Sequence, residues 1–590
     1  MRYALTAEEL CKKLRPIFGQ KIDRLYLQYT LTDSREKRAE IEQALGVLYE
    51  KHLNTTLLNE KVLLPPPAKH VIAGAYPIGI VNYADKQLYP FGLREQDWIR
   101  HVCISGMSGS GKTMLAFVIL KNMLKNKKPF IVFDWKKSFR PLLKQDKDIL
   151  CFTVGNPKVA NLFKININRP PKGISPKEWV GMLADLITES FFASYGVHKL
   201  LTEALDRAFR DFGVYKGSEN YPTWYQIKDR LEEAADSHRS RGRESEWYES
   251  ALRIAHSLTF GYFGESVCSK DKYSLEVEEL MNQKVIFELR SLNSAEKKFF
   301  CEFLLSYIYF SKKSSEETCN QFKNIILVDE AHNIFIKDKP TFTKESVTDV
   351  VYRELREYGV GLICLDQHVS KLSDVVAGNS ATNIAFHQML PKDVDTIANL
   401  MQLWPEKKFF TMLPVGSAIV KLAERHYTPF LINIPFIELK EENVTDDFIK
   451  SQMTQKVKFS KRMKIFKESV SDEYIAEKIK KLDTVFRASG TRPLKGDVKE
   501  LVKQTHKSKN PEDAEIYLEE CKDAKPFLKL IKRKTLPTTQ IYKELKLSAR
   551  KGNEIKKTLL YLDLIKEQEI RSKKGWKKIL ELTDKGKAAA

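Results

Sequence analysis

Several absences narrow this chain before any motif is considered. None of its 590 residues belongs to a run approaching the roughly 18 consecutive apolar residues of a membrane span. The opening stretch, Met1 to Leu10, does not show the basic-then-apolar pattern of a secretory leader. The eight cysteines (Cys11, Cys103, Cys151, Cys268, Cys301, Cys319, Cys364 and Cys521) form no Cys-x-x-Cys pair, which argues against a zinc site or a disulfide framework. Cys103 and Cys364 sit in apolar runs and read as small core residues. No Ser-His-Asp set or metal-ligand cluster emerges from the spacing. These absences predict a soluble, cytoplasmic protein without membrane insertion.

What is present points to several domains. With 590 residues and 43% hydrophobic content the chain is too long for one ordinary core and apolar enough for more than one. Its net charge of +21 is concentrated at one end: residues 451–590 hold 36 Lys and Arg against 20 Asp and Glu, or +16 of the total. A basic tail favours a polyanion partner, although a solvated helical surface has the same composition.

Periodicity predicts an N-terminal helical segment over 1–69, with Leu10, Leu14, Ile17, Ile22 and Leu25 on apolar faces. Short extended pieces follow near Tyr76–Tyr83 and Gln87–Phe91. From about 100 the chain alternates in the manner of an open parallel sheet, interrupted by a helical insertion at about 176–275, and strand-like runs continue to Pro435. We expect one doubly wound α/β domain over 70–435. A charged region with helices occupies 436–530. Over 531–590, two helices and two strands around Ser572-Lys573-Lys574-Gly575-Trp576 predict a winged helix-turn-helix.

The chemistry is concentrated in a few stretches. Gly106-Met-Ser108-Gly109-Ser110-Gly111-Lys112-Thr113 lies between an apolar strand and a helix start, the setting of a phosphate-binding loop. Its backbone N–H groups can cradle a polyphosphate, Lys112 can reach the β and γ phosphates of ATP, and Thr113 can join a Mg²⁺ shell. The strand Ile325–Val328 delivers Asp329, suited to hold Mg²⁺, and Glu330, suited to orient or deprotonate water. Gln367 closes another strand, where its amide can bond both a γ-phosphate and the attacking water. Asp366 beside it has no evident role in the sequence.

Together these stretches resemble the HerA and FtsK superfamily of hexameric motor ATPases, which have a RecA-like fold. The likeness rests on Arg100-His101, Gly106 to Thr113, Phe133-Asp134-Trp135-Lys136, Asp329-Glu330-Ala331-His332-Asn333, the run from Arg356 to Gln367, Asn379 and Thr382, and Leu413 to Ala418. It covers roughly 70–435. It implies a RecA-like P-loop core, a homo-oligomeric ring of six with ATP at each interface, and Arg100 and Arg356 reaching the neighbour's γ-phosphate. HerA-like motors also commonly work with a separate nuclease. The amino-terminal β-barrel of HerA does not fit residues 1–95, and the membrane helices of many FtsK-type and coupling proteins do not occur here.

In the tail, Arg550, Lys551, Lys556 and Lys557 on the second helix and Arg571, Lys573, Lys574, Lys577 and Lys578 on the hairpin are candidate DNA contacts. The function expected is an ATP-hydrolysing DNA translocase or helicase-like motor. A secretion-type ATPase moving protein and an ATP-regulated DNA-binding switch are the alternatives.

Overall fold

Buried apolar runs bounded by glycines and charges become strands in the computed structural model, which describes residues 5–53, 62–237, 243–271, 275–315, 321–337, 339, 345–438, 444–469, 514, 517–518, 521, 523–533, 536–572 and 575–589. Eleven strands form one sheet: β1 (Tyr76–Tyr83), β2 (Lys86–Leu93), β3 (Val102–Ser105), β4 (Phe130–Asp134), β5 (Leu150–Thr153), β6 (Lys284–Glu288), β7 (Asn324–Asp329), β8 (Val360–Asp366), β9 (Thr382–Ala385), β10 (Ser417–Leu422) and β11 (Phe430–Asn433). Their order is β2-β1-β11-β10-β9-β3-β8-β7-β4-β6-β5. The strands from β9 to β5 pair in parallel. Most of them are buried throughout, as expected where helices cover both faces.

The sheet is mixed rather than uniformly parallel. β10 runs antiparallel to β9 and β11, and β1 is antiparallel to both β11 and β2. Connection length explains the β1–β2 pair. Only Ala84 and Asp85 separate β1 from β2, both at positive φ (51° and 63°), the mark of a tight hairpin turn. A parallel crossover needs a dozen or more residues. The short extended pieces before β3 are part of the sheet: Ile80 faces Asn433 and Val81 faces Ile432.

The insertion between β5 and β6 is helical, with helices Pro176–Ser190, Tyr195–Asp211, Trp224–Ser237, Arg243–Thr259 and Gly261–Val267. Ser175 caps the first, accepting from the Glu178 N–H, and Pro176 occupies the N1 position that suits it. The insertion is stitched at its base, where the N–H groups of Ile165 and Ile167 donate to the carbonyls of Ser266 and Val267. Trp179 is fully buried; it donates to the Ile167 carbonyl (3.0 Å) and meets Phe303 and Tyr307 of helix Ser294–Ser314 edge-on.

A buried ionic cluster joins these elements. Lys339 lies 3.2 Å from Glu189 and 3.0 Å from Glu302, with all three side chains almost inaccessible. Removing Lys339 leaves Glu189 without a counter-charge, and Glu302 with only Lys298 at 3.9 Å, in a dry site, at a cost of about 3–5 kcal/mol. Lys339→Ala is expected to lower the thermal midpoint of the ATPase unit by several degrees. A calorimetric midpoint equal to the parent's would show that the cluster contributes nothing.

The N-terminal helices Ala7–Phe18, Gln20–Leu31 and Arg35–His52 bury Leu10, Leu14, Ile22 and Leu45 in a small core shared with Tyr83. Thr6 and Glu9 form a capping box at the first of them.

The chain divides into two compact units, residues 1–270 with 276–449, and residues 271–275 with 450–590. In the second, helices Ala524–Arg533, Thr538–Glu544 and Ala549–Tyr561 pack with the antiparallel pair β12 (Ile565–Ser572) and β13 (Gly575–Leu582). Phe527, Leu528, Ile541, Leu559 and Leu580 form their core. Ser548 caps the helix that follows it, accepting from the Lys551 N–H.

Candidate nucleotide and catalytic site

The glycine loop leaves β3 at Ser105 and is held at both sides by the neighbouring strands. The Gly106 N–H donates to the Asp366 carbonyl (3.2 Å) and the Met107 N–H to that of His387 (2.8 Å). Gly111 has φ +121°, and a Cβ there would lie 3.0 Å from Phe386 and 3.3 Å from the Gly416 Cα, so glycine is required on conformational and steric grounds. The Gly416 N–H in turn donates to the Ser110 carbonyl (3.0 Å), which fastens the loop from behind. Helix Lys112–Lys125 starts at once, so its unpaired N–H groups face the same space as the loop.

The Lys112 ammonium donates to the carbonyls of Gly106 and Met107, the latter at 2.9 Å. Burial lowers its pKa to about 8, with Glu330 opposing the shift and Lys136 adding to it. A cleft of about 250 Å³ opens over the loop, walled by Gly109, Lys112 and Thr113 on one side and by Lys136, Asp329 and Gln367 on the other.

Register explains why these groups meet. β3 pairs with β8, with Ser105 opposite Asp366, and β7 lies beyond β8 with Asp329 opposite Leu365. Parallel strands in register end together, so three segments far apart in sequence deliver their polar residues to one edge. Asp329 is half-buried there, and its carboxyl is raised to about 7 by desolvation, then by the charges of Glu330 and Asp134. Glu330 adopts left-handed backbone angles (φ 52°, ψ 49°), an uncommon conformation for a non-glycine residue. Its carboxylate accepts from the Gln367 amide and pairs with the Lys136 ammonium. Asp329, Glu330, Gln367, Lys112 and Thr113, separate in the sequence, are therefore brought together.

Two residues that sequence reasoning did not assign complete this arrangement. Asp366 is fully buried and accepts from the N–H groups of His332 and His368, both at 2.6 Å, and from the His332 ring at 3.0 Å. It thereby fixes the turns after β7 and β8 relative to each other. Burial works against a charged His332, but the hydrogen bond and charge of Asp366, together with Glu330, outweigh it and raise the ring's pKa. Lys136 is placed by Asp134, whose buried carboxylate accepts from the N–H groups of Lys136, Lys137, Ser138 and Phe139 at 2.8–3.1 Å. The detectable signal was a carboxylate at each buried strand end, Asp134 and Asp366.

Arg100 and Arg356 lie elsewhere. They precede β3 and β8, at the opposite edge from the loop, and the seven residues of β8 alone span about 20 Å. Both are exposed at that edge, and Arg100 pairs with Glu424 of its own chain. His101 ties the two arginine-bearing segments together: its Nδ1 accepts from the Leu362 N–H (3.0 Å) and its Nε2 donates to the Tyr352 carbonyl (2.7 Å). Burial keeps this ring neutral, with a pKa near 4. In the second unit, Lys551 pairs with Asp523 and Lys556 with Glu567, while Lys557 is exposed. Lys573 and Lys574 lie outside the described residues, as do the side chains of Arg550, Arg571, Lys577 and Lys578.

A glycine loop between buried strand and helix, facing an acid pair across the carboxyl edge of a largely parallel sheet, defines a P-loop ATPase. Residues 79–308 match the family model of the helicase HerA central domain. The chain is 21% identical over 346 residues to the DNA double-strand break repair helicase HerA of Saccharolobus solfataricus, covering 56% of this chain and 63% of that one. It is also 21% identical over 366 residues to the HerA of Sulfolobus acidocaldarius, covering 59% and 68%. The alignment thus spans less than two thirds of the Saccharolobus protein. Among solved structures, VirB4 of Thermoanaerobacter pseudethanolicus is similar with a TM-score of 0.47 and 15% identity, over 62% of this chain and 98% of that one.

Proposed function

We propose that this chain is a cytoplasmic ATP-driven DNA translocase that works as a ring of six copies. The observation that carries the reading is the separation of Arg100 and Arg356 from Lys112 by the length of the sheet. Cations so placed cannot serve their own nucleotide, yet they suit the transition-state charge on a neighbour's γ-phosphate.

Within one site, Gly106, Ser108, Gly109, Ser110, Gly111 and Thr113 cradle the phosphates, and Lys112 turns from the loop carbonyls toward them. Thr113 and Asp329 offer hard oxygen donors to one cleft, a set that suits Mg²⁺, and the bound ion would neutralise charge on the β and γ phosphates. Glu330 takes the proton of the attacking water, and Gln367 aims that water. Because Glu330 is held between Gln367 and Lys136, a shift of either strand end changes its aim.

In the tail, the helices Thr538–Glu544 and Ala549–Tyr561 with β12 and β13 act as a winged helix-turn-helix, and its lysines and arginines neutralise DNA phosphates. A separate nuclease would act on the DNA that the ring moves. No helix among the described residues is long and apolar enough to cross a membrane.

Native mass measurement combined with ATPase assays with and without duplex DNA tests the reading. Six-copy assemblies with DNA-stimulated hydrolysis are expected, with DNA affinity falling about 0.9 log units per tenfold rise in salt for each phosphate neutralised. A monomer whose hydrolysis ignores DNA would remove it.

A further inference from the structure

A second cavity lies beside the nucleotide cleft. Its volume is about 620 Å³, within the roughly 300–1,000 Å³ typical of ligand sites. Lys298, Lys337, Lys371 and His332 reach its wall, the Ser370 hydroxyl joins them, and no carboxylate is among its lining residues. Glu189 and Glu302 sit behind the wall, where Lys339 pairs with both, Lys298 lies 3.9 Å from Glu302, and the Ser190 hydroxyl donates to Glu302. The Lys298 ammonium donates to the carbonyls of Glu189 and Ser190 and lies 3.9 Å from the ring centre of Phe192. Phe192 adopts a left-handed backbone conformation (φ 52°), with its side chain largely exposed. Strain of this kind in a bulky residue is a cost that functional sites commonly bear. Lys337 pairs with exposed Asp374, an arrangement worth little in water. Lys371 is exposed, and its charge opposes protonation of His332.

Cations, a hydroxyl and an aromatic ring covered by Lys298 on one face but otherwise largely exposed, in a wall lined by no acid, match a phosphate with a base beside it. The wall also includes His332, whose ring touches Asp366 at 3.0 Å and approaches Glu330 at 3.7 Å. We propose that this cavity seats a phosphate of the DNA strand, with an adjoining base against Phe192, and that His332 conveys its occupancy to Glu330. The inference rests on the translocase reading and locates where the moving strand acts on hydrolysis. Lys337 and Lys371 bind, Lys298 holds the aromatic wall in place, and His332 is a positioning residue for Glu330.

The test is ATP hydrolysis by the full chain as a function of oligonucleotide concentration, with fluorescence anisotropy of the same labelled oligonucleotide. Lys337→Glu combined with Lys371→Glu is expected to raise the DNA concentration for half-maximal stimulation at least tenfold. The neutral pair Lys337→Gln with Lys371→Gln should give a smaller shift and guards against misfolding. His332→Asn should bind the oligonucleotide as the parent does but respond with little or no stimulation, a split that a merely structural role would not produce. Stimulation of the parent that persists unchanged in the charge-reversed pair would overturn the cavity assignment while leaving the translocase intact. A parent that DNA neither binds nor stimulates would instead remove the translocase reading itself, and the proposed occupant with it.

Discussion

Glu330→Gln is expected to keep its ATP and lose its turnover, with kcat falling by about 10²–10⁴ as for removal of a general base. The amide preserves the volume of the side chain and can still meet Gln367 and Lys136, so the cleft keeps its shape. What disappears is the ability to accept a proton from water at the strand end. Loss of the charge also affects Lys112, since Glu330 is the leading influence that raises the lysine's pKa against burial. Nucleotide affinity should therefore change by much less than turnover. Fluorescent-nucleotide titration beside steady-state hydrolysis separates the two. A variant hydrolysing within threefold of the parent would move the proton acceptor to another residue.

The second large effect concerns Arg356. Arg356→Ala is expected to lower hydrolysis by about 10³–10⁵, the range of an arginine supplied to a phosphoryl-transfer site. The more decisive result comes from mixing. Lys112→Ala has a disabled loop and an intact arginine; Arg356→Ala has the reverse. If the arginine serves a neighbour, rings formed from both contain interfaces with a complete set of groups, and the mixture should hydrolyse ATP where neither variant does alone. If Arg356 acted within its own chain, mixing would restore nothing. His101 bears on the same experiment: it fastens the Arg356 segment to the strand that carries the loop.

The parts of this site legible in the sequence were the contiguous ones. The loop from Gly106 to Thr113 is a local device whose glycines, lysine and threonine act within eight positions, so its pattern survives without knowledge of the fold. Asp329 and Glu330 were legible because a buried strand ended in two acids. Asp366 was not, because its role depends on a turn 34 residues earlier, reached only once β7 and β8 lie side by side. Lys136 meets Glu330 by the same kind of adjacency, across strands whose neighbours are not consecutive. Arg356 was singled out only through the family resemblance; by itself it reads as an ordinary helical surface residue, since nothing local reveals that its segment stands at the opposite edge from the loop. The hairpin β1–β2 was visible as extended chain, but its membership in the main sheet depends on a partner near residue 432.

That partnership joins the entrance of the ATPase unit's sheet to its exit. The chain enters the sheet at β1 and leaves it at β11, and these strands buckle together through Ile80–Asn433 and Val81–Ile432, with β10 and β9 between the buckle and β3. Tension arriving from segments on either end loads the buckle before it loads the nucleotide strand. In the translocase proposed above, this pairing would keep the recoil of the appended segments out of the phosphate grip.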